Sequence, residues 1–293
     1  MCVILRVIVL CKKVLFIQNK ACFRCVFNEW ESLNYAFFYF KGGKFMKNQR
    51  KITLFVTLTL LLLSISKSAS AMHIMEGYLQ PKYCIAWGII SLPFLILGFI
   101  SIKKTLEKDR KSLVILAMSG AFVFVISSLK IPSVTGSCSH MTGTGLAAIL
   151  FGPFAVSILG IIVLIFQAIL LAHGGLTSLG ANTFSMAIAG PILSYFIYKL
   201  CMKFKVNRRV GVFLAATLGD LFTYCVTSIQ LAIAYPSADG GILASMAKFL
   251  GVFAPTQVPL AIIEGILTVI VIIGLEKYAD LELKSIGFLK EEA

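Results

Sequence analysis

Residues 154–172 read FAVSILGIIVLIFQAILLA and contain no charged side chain. A helix of about 20 apolar residues crosses the ~30 Å hydrocarbon core of a bilayer, so this stretch predicts a transmembrane helix. Similar apolar segments surround it, at about 83–102, 112–129, 142–152, 182–202, 210–235 and 257–276. Because lipid offers the backbone no hydrogen bonds, the sequence predicts an all-α integral membrane protein with about seven transmembrane segments.

Two segments leave the number of spans open. The segment 142–152 is too short to cross the bilayer as a straight helix. Gly152-Pro153 either turns it back or breaks a unit that continues into the next segment, which gives six or seven spans. Residues 242–253 are predicted to form a further short helix, interfacial or re-entrant.

The composition excludes two broad classes of protein. Hydrophobic residues make up 58% of the 293 positions and charged residues 14%, which is too apolar for a soluble domain. The net charge of +14 does not indicate a nucleic-acid-binding protein, since residues 72–293 hold 16 basic against 11 acidic residues. Their excess positive charge lies in two short loops between apolar segments, as the positive-inside rule expects.

A signal peptide is predicted ahead of the apolar segments. Met46–Lys51 is basic, 52–66 is apolar, and Ala69-Ser70-Ala71 is a small-residue cleavage site. The predicted division is a misassigned start extension at 1–45, a cleaved signal peptide at 46–71, and a membrane domain at 72–293. Lys41-Gly42-Gly43 supports the later start, because its codons can contain a purine-rich ribosome-binding sequence. The alternative is an additional basic, apolar anchor at 1–17.

Signal cleavage places the mature amino terminus on the extracytoplasmic side. With seven spans, the basic loops at 103–111 and 199–209 then face the cytoplasm, as does the carboxyl terminus. His73, His140 and His173 are all the histidines of the chain, and this topology puts them on the outer side. That coincidence is the main functional indication in the sequence.

Cleavage after Ala71 creates a chelating amino terminus. The α-amine of Met72, the amide nitrogen of His73 and its imidazole can bind one metal ion through fused rings. The amine has a pKa near 7.7–8, so a metal displaces its proton at ordinary pH. Planar nitrogen coordination suits nickel, copper and cobalt(II) better than magnesium or calcium. His140, in a loop rich in small residues, is predicted to fill the fourth position; the alternative is a hydrogen-bonded interfacial histidine.

Three further residues are candidates for orienting or balancing the metal ligands: His173, Asn182 and Glu76. His173 opens a second loop of small residues and is as well explained by a structural role. Glu76 is placed to offset cation charge, although a solvated carboxylate explains it too. Asp220 and Glu264 lie within predicted spans, where ionisable residues are usually functional. Neither residue is assigned to the metal site. A structural role and a role in transport both stay open for them.

At these residues the chain resembles the CbiM family, the substrate-binding subunits of energy-coupling-factor cobalt transporters. The resemblance rests on MHIMEGYL at Met72–Leu79, SVTGSCSHMTGTGL at Ser133–Leu146, HGGLTSLGAN at His173–Asn182 and GDLFTY at Gly219–Tyr224. It covers essentially all of residues 72–293. Met141 departs from the pattern, because the family usually has proline there.

The resemblance implies a fold of six core helices plus one extra amino-terminal helix. It implies that Co²⁺ is the transported substrate, bound by Met72, His73 and His140, and that it serves cobalamin synthesis. It further implies a transmembrane coupling subunit, a small accessory membrane subunit and two ATPase subunits as partners. The sequence itself has no G-x-x-x-x-G-K-[ST] loop, so it predicts a transporter subunit that is neither an ATPase nor another enzyme, without an organic cofactor.

Three other interpretations remain open at this point. Nickel (Ni²⁺) accepts the same planar nitrogen ligands as cobalt. A stand-alone secondary cation transporter would need ionisable residues along its path, and Asp220 and Glu264 are the deep ones. A membrane metalloenzyme is disfavoured, since the sequence lacks an H-E-x-x-H motif.

Overall fold

The computed structural model describes residues 73–132, 138–238 and 240–289. The predicted start extension, the signal peptide and Met72 lie outside the described residues. What the sequence predicts for them therefore stays a prediction.

Helices dominate the described part of the chain. Their bounds are α1 Pro81–Lys108, α2 Ser112–Ser128, α3 Thr144–Phe151, α4 Pro153–Leu171, α5 Leu179–Lys203, α6 Arg208–Ala234, α7 Gly241–Tyr278 and α8 Asp280–Ser285. Of these, α1, α4, α5, α6 and α7 are long and apolar enough to cross a membrane, and α2 is a shorter apolar helix. The chain is a mostly helical, multi-pass membrane protein. The count of seven spans stays a prediction.

The short third segment is a buried helix inside the bundle. Its helix α3 ends at Gly152, which has a φ of +82°, and Pro153 begins α4. Positions 144–150 are all buried, so α3 is surrounded by protein. Gly152-Pro153 therefore separates two helices that contact each other, as the turn-or-break interpretation expected.

The prediction of a separate short helix at 242–253 is wrong. These residues begin α7, a single helix of 38 residues that continues through Pro255 and Pro259. The helix continues through both prolines while α7 lies along α6, and the Tyr224 hydroxyl of α6 donates to the carbonyl of Leu250 in α7. Membrane-spanning helices tolerate proline where neighbouring helices pack against them.

A two-stranded hairpin adds a small sheet to the helical fold. Strands β1 (Lys130–Pro132) and β2 (Cys138–His140) pair antiparallel, with Lys130 opposite His140. The hairpin departs from the all-α expectation. It brings His140 from the end of α2 back over the bundle.

A continuous contact between α5 and α6 fixes the centre of the bundle. A Cβ at Gly219 would collide with Ser194, and one at Gly190 would collide with Thr223. The two helices therefore pack closely at these glycines, where an added Cβ would also lie only 3.1–3.2 Å from a carbonyl oxygen of the other helix. This contact sets the position of the α5 turn that faces the histidines.

Candidate metal centre

The three histidines predicted to share one side of the membrane meet at one point. Each of His73, His140 and His173 offers a ring nitrogen, and these atoms all lie within 4.8 Å of one another. The three residues are 4%, 1% and 1% exposed, respectively. They come from the segment before α1, the end of β2 and the loop after α4, so only the tertiary fold brings them together.

The rings form a tight cluster. His73 and His140 stack face to face, with centroids 4.4 Å apart and planes 11° apart. His173 stands edge-on to both, at 4.5 Å from His73 and 4.7 Å from His140. One ring nitrogen from each histidine therefore lies close enough to the other two to share one small ligand.

One pair of nitrogens already has the spacing of neighbouring metal ligands. Nδ1 of His73 and Nε2 of His173 are 3.1 Å apart. Two nitrogens at right angles on a metal, each about 2.0–2.1 Å from it, lie about 2.9 Å apart. Without a metal, one of the two nitrogens carries a hydrogen and donates it to the other.

His140 presents an unused lone pair. Its Nδ1 lies 2.9 Å from the carbonyl oxygen of Met141, which only accepts, so Nδ1 carries the hydrogen. Nε2 therefore holds the lone pair, and it is buried without a hydrogen-bond partner. Buried polar atoms are nearly always paired, so an orphaned nitrogen beside two other imidazoles indicates a ligand position.

Burial keeps all three imidazoles neutral. Desolvation lowers the pKa of His140 to about 4 and that of His173 to about 2. The pKa of His73 also lies well below its usual value, first through desolvation and then through His140 and His173. A metal ion arriving near neutral pH therefore displaces no proton from imidazolium groups.

Asn182 holds the chain directly after His73. Its Oδ1 accepts from the Ile74 amide at 2.9 Å, and its Nδ2 donates to the Ile74 carbonyl at 3.0 Å. The Ser178 hydroxyl donates to the same carbonyl. Asn182 thus orients the backbone directly after His73 and not an imidazole ring.

Glu76 connects the segment before α1 to the loop after α4. Its carboxylate accepts from the Thr177 amide at 3.2 Å, and hydrogen bonding to Thr177 is the main cause of its lowered pKa. The side chain is exposed and lies outside the imidazole cluster. A Cβ on Gly175 would come within 2.6 Å of the Glu76 backbone, which explains the need for glycine there.

Two buried carboxyl groups hold the loop that carries His140. Glu264 accepts from the Thr142 amide at 2.6 Å and from its hydroxyl at 3.1 Å. Gln257 donates to the His140 carbonyl at 3.2 Å and to Asp220 at 2.6 Å. Asp220 and Glu264 are therefore connected to the metal centre through the backbone around His140. The sequence shows them as intramembrane acids, but not which loop they contact.

Met186 is a contact that the sequence did not reveal. Its sulfur lies 3.1 Å from Nε2 of His73, on the side of the ring away from His173. A methionine in an apolar span is expected, from sequence alone, to be a core residue. Its contact depends on a π-helical turn at Thr183–Ala189, which no sequence pattern indicated.

Comparisons with known proteins relate the chain to transporters. The family model described as "CbiM: Cobalt uptake substrate-specific transmembrane region" matches residues 73–281. Cobalt transport protein CbiM of Lachnoclostridium phytofermentans is 71% identical over 243 residues, which cover 83% of this chain and 97% of the relative. The Ruminiclostridium cellulolyticum protein of the same name is 58% identical over 220 residues, covering 75% of this chain and 89% of the relative.

A solved structure shares the fold. The crystal structure of a truncated transition metal transporter superposes with a TM-score of 0.62 at 28% identity. The match covers 70% of this chain and 99% of that one.

Proposed function

The chain belongs to the CbiM family of cobalt uptake transmembrane proteins, and from that premise we propose that it captures cobalt(II) for an ATP-driven energy-coupling-factor transporter. The capture site is the buried cluster of His73, His140 and His173, together with a mature amino terminus at Met72, the residue that precedes His73 in the sequence. This cluster is the single observation that carries the proposal. The imported cobalt serves cobalamin synthesis.

The proposed ligands are four nitrogens. The Met72 amine, the His73 amide and Nδ1 of His73 form the chelate, and Nε2 of His140 takes the fourth position. Support comes from the orphaned lone pair of His140 and from the hold that Asn182 has on Ile74, directly after the chelating residue. A metal at Nδ1 of His73 takes the lone pair that faces His173. The His173 ring therefore moves aside as the ion enters.

The energy source lies outside this chain. The sequence has no P-loop motif, and the family is a transporter component. We infer a transmembrane coupling subunit, a small accessory membrane subunit and two ATPase subunits as partners. The mature amino terminus is extracytoplasmic and the carboxyl terminus cytoplasmic in this proposal.

Amino-terminal sequencing of the membrane-embedded protein, followed by cobalt titration, tests the capture site. We expect Met72 as the first residue, tight binding in the wild type, and its loss in His73→Ala and His140→Ala. Lys103→Ala, which changes an exposed helix position far along α1, serves as the control. A mature protein that starts elsewhere, or a His73→Ala variant that binds normally, would overturn the proposal.

Uptake into vesicles tests the need for partners. The proposal predicts ATP-dependent cobalt entry with the coupling and ATPase subunits present and a loss of entry with an inactive ATPase. A stand-alone cation transporter would take up cobalt without them. The contacts of Asp220 and Glu264 favour the first outcome, because both side chains are engaged in holding the His140 loop.

Nickel(II) is the alternative substrate, because an all-nitrogen planar site suits both ions. Competition between cobalt and nickel in the same titration decides which ion the site prefers. The cobalt names of the relatives favour cobalt.

A further inference from the structure

Met186 lies where the regular geometry of α5 is interrupted. Residues Thr183–Ala189 form a π-helical turn, and such turns occur frequently at functional sites. The Met186 side chain is 1% exposed, and its Sδ lies 3.1 Å from Nε2 of His73. The contact is therefore part of the protein interior and shielded from water.

The chemistry of sulfur determines the state of the imidazole. A thioether has lone pairs and no hydrogen, so it accepts and never donates. If Nε2 of His73 carried a lone pair, two lone pairs would face each other at 3.1 Å. The contact is favourable when Nε2 carries the hydrogen, which places the ring's lone pair on Nδ1.

Nδ1 is the nitrogen that an amino-terminal chelate requires. The amide nitrogen, Cα, Cβ, Cγ and Nδ1 of one histidine close a six-membered ring with a metal, whereas Nε2 points away from it. In the metal-free protein, the Nδ1 lone pair accepts from Nε2–H of His173 at 3.1 Å. The same tautomer thus satisfies both neighbours of the His73 ring.

We propose that Met186 is a positioning residue that fixes the tautomer of His73 and presents Nδ1 to the transported metal ion. This inference rests on the function proposed above. It assigns a specific task to the π-helical turn, which aims the thioether at the imidazole. Gly160 of α4 supports the turn, because a Cβ there would clash with Ala187 and hold the two segments apart.

The choice of a thioether also suits a protein that must release its cargo. Partners of metal-binding histidines are commonly carboxylates or carbonyls, which raise the basicity of the ring. A thioether is a weak acceptor, so it fixes the tautomer while adding little basicity. Met186 orients the ligand without strengthening the metal bond as a carboxylate would.

The first test is a measurement on the unaltered protein. ¹⁵N NMR of histidine-labelled, metal-free protein distinguishes a protonated ring nitrogen from an unprotonated one, with His73→Gln identifying the signals of His73. We expect His73 to be protonated at Nε2 and unprotonated at Nδ1. A hydrogen found on Nδ1 would overturn the inference whatever any variant does.

The second test uses Met186→Leu, which keeps the volume and removes the acceptor. Removing such a supporting partner typically weakens metal binding by about 10–100-fold, and we expect a loss in this range for cobalt. The His73 signals should also show a mixture of tautomers. Met186→Gln, whose carbonyl can accept from Nε2–H, should bind more tightly than Met186→Leu. Met118→Leu, at a position of α2 that is 54% exposed, is the matched control and should bind as the wild type.

Two outcomes separate this inference from the function on which it rests. If His73→Ala abolishes binding while Met186→Leu retains wild-type affinity and tautomer, the inference fails and the proposed function stands. If Met186→Leu and Met186→Gln lose affinity equally with an unchanged tautomer, Met186 acts through packing alone and the inference fails as well. Normal cobalt binding by His73→Ala would remove the proposed function itself.

Discussion

Asn182 holds Ile74 by both polar atoms of its amide group, with Oδ1 2.9 Å from the Ile74 nitrogen and Nδ2 3.0 Å from the Ile74 oxygen. This double contact fixes the backbone one residue after His73. It positions the backbone that leads into His73. A metal site built partly from a chain terminus needs such a hold, because a free terminus is otherwise the most mobile part of a chain.

Asn182→Ala should weaken cobalt binding by about 10–100-fold, since it leaves buried backbone groups unsatisfied at a cost of about 1–3 kcal/mol. Isothermal titration of the purified protein measures the change. Asn207→Ala, which removes the cap of α6 at Arg209, is the control and should leave the affinity unchanged. Wild-type affinity in Asn182→Ala would show that the hold on Ile74 does not matter for capture.

Gly175→Ala should also reduce cobalt affinity, by about tenfold or more. Its new Cβ would meet the backbone of Glu76 at 2.6 Å and push the amino-terminal segment away from the loop. Gly274→Ala adds the same methyl group to α7, where nothing lies within 4 Å, and should bind normally. Equal affinities for the two variants would contradict the close packing of this segment.

Glu264→Leu should lower both thermal stability and cobalt affinity, because the buried Thr142 amide then loses its acceptor at a cost of about 1–3 kcal/mol. Glu264→Gln keeps an oxygen in place and should retain more of both. Differential scanning fluorimetry and titration measure the two effects. Glu276→Gln, on the same helix but paired with Arg208, is the control. If Glu264→Leu binds cobalt as tightly as Glu276→Gln does, Glu264 does not position the His140 loop.

The pH dependence of binding should reflect the amine and the amide, not the imidazoles. Because burial lowers the pKa of all three histidines, with His140 at about 4, they stay neutral as the pH falls through 6.5, where an ordinary histidine gains a proton. Below the amine pKa of about 7.7–8, binding releases one proton from the amine and one from the amide. The dissociation constant should then rise about 100-fold per pH unit between pH 7 and 5, without a further break. A steeper dependence setting in near pH 6.5 would indicate exposed, ordinary histidines.

The sequence predicted the membrane class and the meeting of the histidines for clear physical reasons. Long uninterrupted apolar segments are typical of membrane-spanning helices, and all seven predicted segments coincide with helices, α1 to α7. Histidines are rare in this chain, so the prediction that all three share one side of the membrane was informative. The prediction that the last span begins only near residue 257 was wrong, because α7 begins at Gly241 and lies along α6, and a contact between helices is not encoded in local sequence.

The remaining contacts depend on distances that no local pattern encodes. His173 was expected to orient a metal ligand. Its ring nevertheless lies about as close to that of His73 as the His140 ring does. Glu264 and Thr142 are far apart in sequence and meet only through the bundle. Met186 reaches His73 because a π-helical turn redirects it. Such contacts follow from how the helices pack, and the periodicity of the sequence does not predict them.

The most direct test of the central claim is a cobalt titration of two proteins that differ by one residue, one beginning at Met72 and the other retaining Ala71. The extra residue moves the α-amine off the chelate and leaves every side chain in place. We predict tight binding by the first protein and a loss of at least about 100-fold in the second, because a chelate ring closed by the amine is removed. Equal, tight binding by both proteins would contradict a metal site built on the amino terminus.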